Sequence, residues 1–119
     1  MGGKKGVRGR LDIASAPIRL ETAFRRLNRN EALKKVRRWV KENRVSYTKH
    51  AEAELTADGL ESKEAREALL EGRILMEAEL IKGTYRYRVE GPNSCVVVAF
   101  EVDGSETSLK VITAWRRNR

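Results

Sequence analysis

The sequence predicts an α+β fold, with N-terminal helices followed by an antiparallel four-stranded sheet. Apolar side chains recur at helical spacing up to residue 72, and from Arg73 onward the apolar period becomes two. The helical segments precede the strands and do not alternate with them, which points to α+β rather than to a parallel sheet with crossover helices.

The elements follow in chain order. Residues 1–17 are rich in Gly, Lys and Arg, end at Pro17, and read as a flexible basic arm. Residues 18–44 read as a basic helical extension, with helical spacing over Glu21–Leu27 and Glu31–Glu42. Leu33, Val36 and Val40 recur at i, i+3 and i+7, Ala32 and Trp39 widen the stripe, and Asn30 is the expected N-cap. Arg25, Arg26, Arg29, Lys34, Lys35, Arg37, Arg38 and Lys41 are expected to form a basic back. Residues 45–119 form the main domain. A short extended piece, Val45–Tyr47, leads into a helix over 49–57, stopped at Asp58-Gly59, where glycine takes the left-handed conformation cheaply. Ser62 is the expected cap of the next helix, with Glu64 in its first turn and Gly72 at its end.

The strands come next. RILMEAELIK (73–82) is the first, and Gly83 turns it into TYRYRVE (84–90). There Tyr85, Tyr87 and Val89 point to one face while Arg86 and Arg88 point to the other. GPNS is a turn. CVVVAFEV (95–102) is almost wholly apolar and is expected to be central and buried on both faces. Asp103-Gly104 turns the chain into a last strand, LKVITAW (109–115).

Composition narrows the function. The chain has 119 residues, 40% of them hydrophobic, which suits one domain. The longest apolar run, Cys95–Phe100, is too short to cross a bilayer, and no apolar stretch follows the basic start as a secretory signal would require. One cysteine and one histidine exclude a disulfide framework and an ordinary zinc site. The expectation is a cytoplasmic protein with no membrane contact, metal or other cofactor. Its net charge of +8 is uneven. Residues 1–49 hold 15 Lys/Arg against 4 Asp/Glu, and the remainder holds 10 against 13. Such asymmetry suits a polyanion partner, RNA above all, although a solvated basic face has the same charge.

YTKHAEAEL (47–55), GLESKEAREALLEGRIL (59–75), VVVAFEVDG (96–104) and LKVITAW occur in this order. Together they resemble a bacterial domain family of uncharacterised function with a Ser/Thr-x-His-Ala motif, grouped with the RelE/BrnT-like toxin superfamily. The resemblance covers residues 47–115. It implies a RelE/BrnT-like α+β domain and a toxin-type endoribonuclease held by a cognate antitoxin protein.

RNA cleavage without metal requires a base for the 2′-hydroxyl proton, cations for the phosphorane, and a proton for the leaving 5′-oxygen. His50, the only histidine, suits proton transfer because its reference pKa of about 6.5 lies near neutrality. Glu52 is a second proton-transfer candidate. Arg86, Arg88 and Arg116 are candidates for holding the phosphate, since guanidinium offers a planar fork of permanently charged donors. Lys49, Arg37, Arg38, Lys41 and Arg117 are candidate RNA contacts, and Tyr85 a candidate stacking platform. Each has a structural counterpart: His50 as a first-turn helix residue, Tyr85 and Tyr87 as core, Arg116 and Arg117 as a charged tail, Trp39 and Trp115 as core or interface. The alternative to a nuclease is a non-catalytic basic module, on a toxin-like fold, that binds RNA or protein.

Overall fold

Asn28 starts the first helix. Its side chain accepts from the Glu31 backbone N–H at 2.9 Å, and the Glu31 carboxylate accepts from the Asn28 N–H at 3.1 Å. This reciprocal capping box sets α1 at Arg29–Lys41, two residues ahead of the start expected from Asn30 as cap. The structure, a computed structural model, describes residues 25–103 and 106–117. The expected arm over 1–17 and most of the expected helix over 21–27 lie outside the described residues; Arg25–Leu27 are not helical. Helix α1 buries Ala32, Val36, Trp39 and Val40, as its stripe predicts.

β1 (Val45–Tyr47), α2 (Lys49–Ala57), α3 (Ser62–Glu71), β2 (Glu79–Ile81), β3 (Thr84–Glu90), β4 (Ser94–Asp103) and β5 (Glu106–Arg116) follow. The α+β class holds, but the sheet has five strands and is mixed, in the order β1-β5-β4-β3-β2. The extra strand is β1, which lies parallel to β5 with Val45 opposite Leu109 and Tyr47 opposite Val111. Parallel neighbours are joined by long crossovers, so a three-residue strand paired some 60 positions away leaves no local signature. Glu61 and not Ser62 takes the N-cap position of α3.

The strand expected over 73–82 is also shorter than its pattern suggests. Only Glu79–Ile81 pairs along β3, whereas Arg73 makes a single bridge to Glu90. The Leu75 carbonyl accepts instead from Arg29 Nη1 at 2.9 Å. Lys82 and Gly83, at φ 52° and 81°, form the two-residue hairpin turn into β3, the left-handed pair that matches strand twist. β4 is central, as expected. On β5 the register slips between Val97, opposite Thr113, and Val98, opposite Val111, which leaves Ile112 as the extra residue of a bulge.

α1 and α3 cover one face of the sheet, and α2 lies along β1 and β5. The shared core joins Leu27, Val36, Trp39 and Val40 to Leu55, Leu69, Tyr87, Val89, Val96, Val98, Phe100, Leu109 and Val111. Phe100 meets Trp39 edge-on at 5.3 Å between centroids and Tyr87 at the same separation. The Tyr87 hydroxyl accepts from the Leu27 N–H at 2.9 Å; burial pushes its pKa up, partly offset by that bond. Two arginines clasp the helices reciprocally. Arg37 Nη2 donates to the Gly72 carbonyl that ends α3 (3.0 Å), and Arg66 Nη1 donates to the Val40 carbonyl near the end of α1 (3.1 Å). No helix of the described residues is long and apolar enough to cross a membrane.

The α3–sheet contact is so close that Gly91 admits no side chain. A Cβ there would lie 2.5 Å from Ala68 Cβ and 2.6 Å from Ala68 Cα. Both belong to the side of α3 that buries Ala65, Ala68 and Leu69 against the sheet. Gly91→Ala is expected to destabilise the domain by about 1–3 kcal/mol as overpacking. Thermal unfolding checks this: an unchanged midpoint would mean that α3 is not tightly seated on the β3–β4 turn.

Candidate functional site

The face of the sheet opposite α1 and α3 carries a polar row. Arg88 on β3, Val97 on β4 and Thr113 on β5 are directly paired, and Glu90, Cys95 and Trp115 form the next row. Directly opposite residues share a face, so these six lie together. Arg88 is exposed. Its Cζ lies 5.2 Å from the centre of the Trp115 ring, and its Nε lies 3.7 Å from Glu90 Oε2. The guanidinium therefore leans across β4, closing the roughly 10 Å that separates β3 from β5. Thr113 Oγ1 donates to Glu54 Oε1 at 3.1 Å, which brings a carboxylate of α2 onto the same face.

Thr48 places α2. Its backbone N–H donates to the Val111 carbonyl (3.0 Å), its hydroxyl donates to the Ile112 carbonyl (3.1 Å), and its Oγ1 accepts from Ala51 N–H (3.0 Å). A single cap residue thus docks the helix start on the β5 bulge. The helix begins at Lys49, as its sequence predicts, with His50 exposed in the first turn. Glu54 follows four residues later, one turn on and on the same side of the helix. His50 thus shares its side of α2 with Glu54, whose carboxylate reaches the polar row. Glu52, exposed, is two residues from His50 and roughly 200° around the helix, directed elsewhere.

The other expected site residues are distributed differently. Arg116 fastens the α2–α3 link to the end of β5. Its Nε and Nη2 donate to the Asp58 and Gly59 carbonyls at 3.3 and 2.9 Å, its Nη1 lies 3.6 Å from Glu64 Oε2, and its backbone N–H donates to Asp58 Oδ2 at 3.0 Å. Arg117 Nη1 donates to the Gly91 carbonyl at 2.8 Å and holds the β3–β4 turn. Arg37 is the clasp already described. Tyr85 is half-buried against the core, and Arg86 is half-buried with its Nε enclosed and without an acceptor among the described residues. Lys49, Arg38 and Lys41 are exposed. The polar row adds Glu54, Glu90, Thr113 and Trp115, which were not site candidates in the sequence. The spacing of Glu54 from His50 was a visible signal; the place of Trp115 depended on strand register.

Two other surfaces hold clustered cations. A hollow of about 280 Å³ between α1, β1 and α3 is lined by Tyr47, Lys63, Arg66 and Asn43 over Val40, Val45 and Leu69. Burial pushes the Tyr47 phenol up, and Arg66 opposes it. On the outer side of α1, Lys35 Nζ lies 4.9 Å from the Trp39 ring centre and 5.0 Å from that of Phe100. Arg44 Cζ lies 5.0 Å from the same Trp39 ring. Among the described residues no group of three or more His, Cys, Asp or Glu is arranged to hold a metal ion.

The fold and this face define a small α+β domain, with helices on one side of a mixed sheet and an arginine–tryptophan–carboxylate row on the other. Residues 47–116 match a domain of unknown function (DUF4258), and the chain belongs to that family. The matched segment contains His50, Glu54, Arg88, Thr113 and Trp115, and it begins after α1. No curated protein matches the chain.

Proposed function

We propose that this protein is a cytoplasmic, metal-independent endoribonuclease of the toxin type, held in check by a cognate antitoxin protein. The observation that carries the reading is the polar row. Glu54, bonded to Thr113, shares a helix side with His50, and Thr113 lies in the strand row of Arg88, whose guanidinium covers Trp115. A ribose 2′-hydroxyl gives its proton to His50, and the 2′-oxygen attacks the adjacent phosphorus. Arg88 is the cation for the charge that develops on the phosphorane, and the Glu54 carboxylate favours the imidazolium that forms. The P–O5′ bond breaks, leaving a 2′,3′-cyclic phosphate, and the departing 5′-oxygen takes a proton from solvent. Trp115, half-buried under the Arg88 guanidinium, holds that cation in place over the row.

The test is incubation of the purified protein with single-stranded RNA in the presence of a chelator, with the ends analysed by mass spectrometry. Cyclic phosphate and 5′-hydroxyl ends are expected, and RNA methylated at every 2′-oxygen is expected to stay intact. Cleavage that needs a divalent ion and leaves 5′-phosphate ends would refute the mechanism. Binding without cleavage would instead support a non-catalytic RNA-binding module, which the cation cluster on α1 favours.

A further inference from the structure

Lys35 is a half-buried ammonium with Arg38, Arg25 and Arg44 around it. Burial is the largest influence holding its pKa below the usual lysine range, followed by Arg38, Arg25 and Arg44. No acid lies within ion-pair distance of it among the described residues. Arg38 lies four residues from Lys34 and three from Lys35 on α1, spacings at which like charges repel. They line a shallow groove of about 390 Å³ with Leu27 and Glu31. Glu31, one helical turn before Lys35, keeps its charge while it accepts from Asn28 in the capping box, so three cations face one carboxylate in the groove. Arg44 also lies over the Trp39 ring, paired with Glu42 at 2.9 Å and donating to Thr107 Oγ1. The aromatic rings compensate the ammonium only in part. Like charges gathered over apolar rings disfavour the unliganded fold and favour an anion.

We propose that Lys34, Lys35 and Arg38, backed by Arg44, form a phosphate-binding site for the backbone of single-stranded RNA. It stands on the helical side of the domain, apart from the polar row. Phosphate suits the site because two ammonium groups and a guanidinium fork converge on one groove against the single carboxylate of Glu31. The inference takes RNA as the ligand from the proposed function, but it does not depend on cleavage.

The experiment uses the full chain and RNA methylated at every 2′-oxygen, which binds without being cut, with affinity read by fluorescence anisotropy across a salt series. Neutralising one phosphate on a single strand contributes a slope of about −0.7 in log affinity against log salt. The double variant Lys35→Gln/Arg38→Gln is expected to lose about 1.4 from that slope and about tenfold in affinity at low salt. An unchanged slope overturns the proposal. So does a double variant that keeps RNA but no longer binds poly-glutamate, since the occupant would then be an acidic protein segment.

Lys35→Met, which keeps the apolar stem, supplies a second readout. The depressed pKa means that the folded state disfavours the ammonium, so the cost is present at neutral pH and is relieved as pH rises toward 10.5. The variant is expected to melt no lower than wild type at pH 7 and to lose this alkaline gain. A sharply lower melting temperature would make Lys35 a structural residue and overturn the site.

Discussion

His50→Gln is expected to slow RNA cleavage by about 10²–10⁴-fold, the usual contribution of a positioned general base. The thermal midpoint should stay within about 2–4 °C of wild type. Both halves follow from its position. The side chain is exposed, the buried residues of α2 are Ala51 and Leu55, and the cap that docks the helix is made by Thr48. Exposed substitutions away from caps and core usually change stability by less than about 0.5 kcal/mol. Glutamine keeps a polar group of similar reach but cannot take a proton near neutrality. Glu54→Gln offers the contrast. It retains a hydrogen-bond acceptor for Thr113 and removes the charge, so it is expected to reduce cleavage less than loss of the histidine. Arg88→Lys keeps the charge but loses the planar stacking on Trp115, and is expected to weaken cleavage as well. Full activity in His50→Gln, or a large fall in its melting temperature, would return the histidine to a purely structural position.

Phe100→Ala is expected to destabilise the domain by about 3–5 kcal/mol, a large share of the 5–15 kcal/mol typical of a whole domain. Phe100 is 3% exposed on the central strand and is the ring that links α1 to the sheet. Trp39 meets it edge-on at an interplanar angle of 88°, and Tyr87 at 60°. Removing it leaves a cavity between two aromatic rings that are held by other elements. Tyr87 is tied to Leu27 N–H, and Trp39 belongs to a helix clasped by Arg37 and Arg66. Neither ring is free to collapse into the space, and cavity cost rises where collapse is prevented. At about 4–8 °C per kcal/mol for a domain of this size, the midpoint should fall by more than 10 °C. A fall of only a few degrees would show that α1 is not packed on β4.

Hydrophobic period and turn chemistry made much of the fold legible. The stripe of Ala32, Val36, Trp39 and Val40 faces the core, and the apolar run of β4 occupies the centre of the sheet. Gly59, at φ 65°, ends α2, and Gly83 closes the hairpin. Each of these depends on residues close in sequence. The candidate site divides along the same line. His50 and Glu54 are one helical turn apart, a relation that spacing alone contains. Arg116 and Arg37 read equally well as ligand-binding cations until their carbonyl partners, on other elements, are known.

Periodicities of 3.6 and 2 and local turn residues made the α+β class, the helix around His50 and the alternation on β3 readable without coordinates. Composition did the same for the basic character of α1. Tertiary structure decided the fifth strand, the bulge at Ile112, the meeting of Arg88 with Trp115 and of Glu54 with Thr113, and the crowding of cations around Lys35. The physical reason is range. A register or a parallel pairing is set by burial summed over whole faces, between residues such as Val45 and Leu109 that no local pattern connects.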